Sequence, residues 1–117
     1  MSRMLPEGYV FVKTISEKQE YEGGFEYSIQ EVSLIKNDKG DVFLRVYENI
    51  CSSEANGRPC TYEKDSCYPV KGQKHIRESN WKRIVFDALD EEIVFKTSGG
   101  DYVDEKTLNM VRGKKSL

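Results

Sequence analysis

The chain has little of what small catalytic or covalently stapled proteins rely on. Its 117 residues include one histidine, one tryptophan, three cysteines and three prolines. With His75 as the sole histidine, any attacking Ser or Cys has only that base to draw on. No motif for an oxyanion hole accompanies it, and Gly99-Gly100 lacks the remaining positions of a phosphate-binding loop. An enzyme is therefore not expected, and a Cys/His hydrolase or transferase ranks last among the readings. An odd number of cysteines makes a poor disulfide framework. No apolar run reaches membrane-spanning length, and Pro6, Glu7 and Lys13 interrupt the start before a signal-peptide core can form. The expected compartment is the cytoplasm, with no membrane partner. Charge of one sign is not in excess either: a formal net charge of −2 excludes a whole-molecule DNA mimic or polycation.

What is present is the composition of a globular protein, with 38% apolar and 32% charged residues, enough to bury one core. A single domain over 1–117 is expected. Charge is distributed locally: residues 67–86 carry five basic side chains against one acidic, and residues 87–105 carry one basic against seven acidic. Residues 113–117 read as a flexible basic tail.

Tyr9 to Ile15 (YVFVKTI) is strand chemistry, and SEKQEYEGG after it reads as a loop. From Phe25 the apolar positions are odd (Phe25, Tyr27, Ile29) and then even (Val32, Leu34), which predicts a β-bulge near Gln30 and Glu31. Val42 to Ile50 keeps one phase, and Asn37-Asp38-Lys39-Gly40 supplies a turn between the two runs. A long hairpin over about 25–50 follows. Residues 51–72 show no period of two or 3.6 and read as a long irregular loop.

After Ser79, a suitable N-cap, Trp81, Ile84, Val85, Ala88 and Leu89 recur at i, i+3, i+4, i+7 and i+8. That pattern predicts an amphipathic helix over about 80–91, in preference to a second hairpin pairing Ile84–Phe86 with Ile93–Phe95. Its acidic run, Asp87, Asp90, Glu91 and Glu92, reads as a solvated face. Ile93 to Thr97 reads as a strand, and Asp104 as the cap of a last short helix carrying Leu108 and Val111. The fold class expected is α+β: an antiparallel sheet of four or five strands built on the 25–50 hairpin, with the 80–91 helix laid across one face.

Two segments could carry chemistry. Cys51, Cys60, Cys67 and His75, separated by eight, six and seven residues, offer three thiolates and an imidazole, a donor set that zinc accepts. The first gap resembles that of RNA-binding zinc fingers with three cysteines and one histidine, but that family has its histidine where this chain has Lys71. Ordinary thiols are favoured over zinc, since cysteine is among the commonest buried small residues, and no cofactor is expected. The second segment is basic, with Lys71, Lys74, Arg77, Lys82 and Arg83 around Trp81. Cations beside an aromatic suit phosphate contact and base stacking.

The reading that results is a small non-enzymatic binding protein that recognises a macromolecular partner, most simply another protein, through its surface. Small domains with dense surface charge and no catalytic set are frequent among regulators and inhibitors of phages and mobile elements. The alternative is a nucleic-acid or nucleotide binder using the 71–83 segment, with a zinc-stabilised loop as its variant. A homodimer through a sheet edge, or through the face of Phe43, Arg45 and Tyr47 if no helix covers it, is a further option.

Overall fold

The computed structural model describes residues 5–21, 26–53, 59–72 and 75–99. Five strands, β1 (Tyr9–Tyr21), β2 (Tyr27–Asn37), β3 (Val42–Ser53), β4 (Pro59–Pro69) and β5 (Ile93–Gly99), pair antiparallel in chain order as one meander. One helix, α1 (Trp81–Asp87), and a single 3-10 turn, Leu89–Glu91, lie between β4 and β5. Among the described residues the fold is α+β, with one antiparallel sheet and one helix.

Three segments depart from the sequence expectation. Ser16 to Tyr21 continue β1 instead of forming a loop, each pairing with β2. Residues 51–53 and 59–69, expected as irregular loop, are the end of β3 and the whole of β4. The phase change near Gln30 is not a bulge either, because β2 pairs with β3 without a register shift from Tyr27 to Lys36. Its cause is that β2 is covered on both faces. Val32 and Leu34 lie under the helix, while Ile35 belongs to a second apolar cluster on the opposite face. The register shifts occur instead in β1, between Phe11 and Lys13 and between Thr14 and Ser16, and opposite Asp65 and Ser66 in β5.

Between β2 and β3, the Asn37 side-chain oxygen accepts from the amides of Lys39 (3.0 Å) and Asp41 (2.9 Å), and Gly40 takes φ +87°. An asparagine that mimics the backbone and a glycine at positive φ are what this turn requires.

The helix face of the sheet holds the main core. Val32, Leu34, Leu44, Val46 and Tyr68 pack with Ile76, Trp81, Ile84, Val85 and Ala88, and Leu89 lies at the margin. The helical spacing read from the sequence is the buried stripe, and no second hairpin forms at 84–95. The cap differs: the N-cap is Asn80, and its side chain does not bond into the helix. Asn80 instead accepts from the Arg77 amide (2.8 Å) and donates to the His75 carbonyl (2.7 Å), fastening the connection that leads into the helix. The expected loop at Gly23-Gly24, the short helix after Asp104 and the tail at 113–117 lie outside the described residues.

Trp81 is fully buried, and its indole N–H has no hydrogen-bond partner among the described residues. Trp81→Ala should cost about 3–5 kcal/mol in urea unfolding, the range for emptying a large aromatic site. Trp81→Phe should cost much less, because it removes the unsatisfied donor while keeping most of the apolar volume.

Candidate functional site

The two faces of the sheet differ in chemistry, and the face away from α1 carries the greater density of functional groups. Its curvature follows from one measurement. Tyr9 begins β1 and Phe95 lies in β5, at opposite edges of the sheet, yet their ring centroids are 5.2 Å apart in an edge-on arrangement. Four strand spacings in a flat sheet would set those edges roughly 19 Å apart. The sheet therefore coils toward this side, and Tyr9 also meets Phe43 of the central strand at 5.8 Å. Leu5, Tyr9 and Phe95 cover Ile35, Phe43 and Cys67.

Below this aromatic cover the concave face is polar. Arg45, 5% exposed, forms a two-pronged ion pair with Asp65, its Nε donating to Oδ1 at 2.8 Å and a second nitrogen to Oδ2. The planar fork suits a carboxylate and satisfies two donors at once. A hydrogen-bonded chain then crosses the strands: the Tyr27 hydroxyl donates to Asn49 (3.3 Å), Asn49 to the Tyr47 hydroxyl (3.2 Å), and Tyr47 to Glu63. Lys96 pairs with Glu63 at 2.7 Å. Tyr21 and Tyr27 close the far end with tilted rings, 6.3 Å apart. Phe43, Arg45 and Tyr47, expected as an open interface if no helix covered them, are instead buried by the chain's own residues.

The cysteine set does not assemble. Cys67 pairs with Arg45, six residues along β3 from Cys51, a separation of about 20 Å. Neither one zinc ion nor a disulfide bridges that distance. Cys51 and Cys67 are both buried, and burial pushes the Cys67 thiol up to about 12. Such a thiol is inert, the opposite of what a metal ligand or nucleophile needs. Cys60 pairs with Ser52 through its backbone, and its side chain lies outside the description; His75 is exposed in the connection before α1. Among the described residues no group of three metal-ligating side chains forms.

The described cations of the basic segment lie at the surface. Lys71 is exposed and paired with Glu91, Arg77 and Arg83 are exposed, and Lys74 lies outside the described residues. Trp81, expected beside them as a stacking surface, lies in the core with no exposed ring. Among the described cations of the segment, Lys82 lies over its ring, 5.8 Å from the centroid. Of the acidic run, Asp87, Asp90 and Glu91 are exposed as expected. Glu92 is not: it accepts from the Tyr68 hydroxyl and from Lys64 (2.9 Å), tying the end of the 3-10 turn to β4. Burial first, and then this bond to Glu92, raises the Tyr68 pKa.

Exposed apolar residues form the feature that sequence reasoning missed. Val10, Phe11 and Val12 of edge strand β1 are 57%, 45% and 46% exposed. The signal was present in YVFV, an unbroken apolar run where a half-buried strand would alternate. Comparison with protein-family models, curated proteins and solved structures gave no match.

Asp65→Ala should destabilise the protein by about 3–5 kcal/mol, since it leaves the Arg45 charge buried without its carboxylate. A second outcome concerns alkaline pH. The Cys67 thiol has its folded pKa raised from an ordinary 9.0 to about 12, so its contribution is full below pH 9 and is lost as pH climbs toward 12. The loss should approach about 1.4 kcal/mol per pH unit. Tyr68 adds to it above pH 10, having also been raised. Melting temperatures from pH 7 to 11 should therefore fall above pH 9, and Cys67→Ala should flatten the section between 9 and 10.

Proposed function

We infer that the protein acts by recognising another protein, without turnover, and that β1 is where it does so. The observation that carries this reading is the exposed run Val10-Phe11-Val12 on an edge strand. An edge strand presents unpaired backbone groups along its outer side, and consecutive apolar residues add a surface that loses contact with water when covered. A partner strand or an apolar patch would use both. The inert Cys67, the dispersed cysteine set and the ion pairs of the concave face support binding over catalysis.

The nucleic-acid reading has weaker support. Without Trp81 the 71–83 segment offers cations alone, one of them already paired with Glu91. A cytoplasmic regulator or inhibitor of the kind found in phages and mobile elements remains consistent with the protein-binding reading.

A photo-crosslinking phenylalanine analogue at position 11 should give one defined protein adduct in the host extract. Val10→Glu or Val12→Lys should lower its yield at least about tenfold while leaving the melting temperature unchanged, as for an interface anchor. An adduct of twice the chain mass would make the partner a second copy. Undiminished yield in both charged variants would overturn the assignment.

A further inference from the structure

The geometry points to a releasable clasp: the start of β1, residues 9–11, swings away from the sheet about the irregularity at Val12 and uncovers the apolar floor of Ile35, Phe43 and Cys67, while the remaining strands stay paired. Three observations carry this. First, β1 and β5 are opposite edges of the sheet and share no ladder, so what joins them across the concave side is the contact of Tyr9 with Phe95. Among the described residues no ladder joins the two edges there.

Second, the ladder is interrupted beside each half of the clasp. In β1 the register passes from Phe11 to Lys13 and skips Val12, immediately after the arm that carries Tyr9. In β5 it passes from Val94 to Lys96 and skips Phe95 itself. A bulge breaks the regular sequence of hydrogen bonds and bends the strand, so the arm can move without dragging the rest of β1 with it. Third, the arm is held by one short ladder. Its three residues pair with Asn37, Lys36 and Ile35 of β2, Val10 and Phe11 are about half exposed, and among the described residues β1 has a neighbouring strand on one side only. Segments with few buried contacts at a sheet edge open locally at free energies well below that of global unfolding.

What the clasp covers is continuous with the exposed run on β1. Release would expose Ile35, Phe43 and Cys67 beside a freed arm that carries Val10 and Phe11 with it. The consequence for partner binding rests on the reading of β1 given above. The opening itself does not, since it is measured on the protein alone.

Cys67 lies under the clasp and is fully buried, so its modification reports opening. The native protein is treated with N-ethylmaleimide from zero urea to just below the unfolding midpoint, and the peptide containing Cys67 is quantified by mass spectrometry. Labelling should be nearly independent of urea, because local opening exposes little surface. Tyr9→Ala should speed it at least about tenfold, because it removes edge-on ring contacts with both Phe43 and Phe95. Val85→Ala, which loosens the opposite face, should leave the rate in the urea-independent range unchanged. If Tyr9→Ala does not fold, Tyr9→Leu keeps the bulk and loses the ring contact, and should give the same direction of change. Cys67 labelling that follows the urea dependence of global unfolding in every variant would overturn the clasp.

Discussion

The concave face depends on the approach of the two edge strands. A five-stranded meander has no topological reason to bring its first and last strands together, since each strand pairs only with its sequence neighbours. Coiling does so, and the irregularities in β1 and β5 give the edges the freedom to coil. Once Tyr9 meets Phe95 above Phe43, one end of the concave side is sealed from water. Arg45 and Asp65 are buried on the face away from α1, and the two charges pair with each other.

The helix face solves its burial problem differently. It is apolar where α1 covers it and is tied at the edge by polar groups, with Glu92 receiving both Tyr68 and Lys64 at the point where the 3-10 turn meets β4. Asn80 fastens the other end of the helical segment to its preceding connection. The helix of seven residues is too short to be stable by itself. It is held by the burial of Trp81, Ile84 and Val85 and by these anchors at either end.

The legible parts of the fold are those where one face is apolar and the other is not. Trp81, Ile84, Val85 and Ala88 mark α1 because their far side is charged. β4 was hidden for the converse reason. Along PCTYEKDSCYP, Tyr62, Lys64, Ser66 and Tyr68 face the helix side, and Thr61, Glu63, Asp65 and Cys67 face the concave side, so both faces mix polar with apolar residues. A strand whose buried partners are Arg45 and Tyr47 has no period-two hydrophobic signal to give. The second half of β1 is concealed by the same logic at the other extreme, since an exposed edge strand can be polar throughout. At the candidate site, the basic segment was visible as composition, but composition could not say that Trp81 points inward. The β1 run was visible as letters, but its exposure depends on which strand becomes the edge.

The strand order also sets a sequence of events in time. Every ladder joins neighbours in the chain, so the hairpins can close one after another with little loop entropy to overcome. The pairing of Tyr9 with Phe95 is the exception, joining the two ends of the described chain. During synthesis from the N-terminus, β1 to β4 can therefore assemble while their aromatic cover is still incomplete. Phe43 stays exposed on one side until β5 leaves the ribosome, and the nascent chain displays that apolar floor to its surroundings before the finished molecule conceals it.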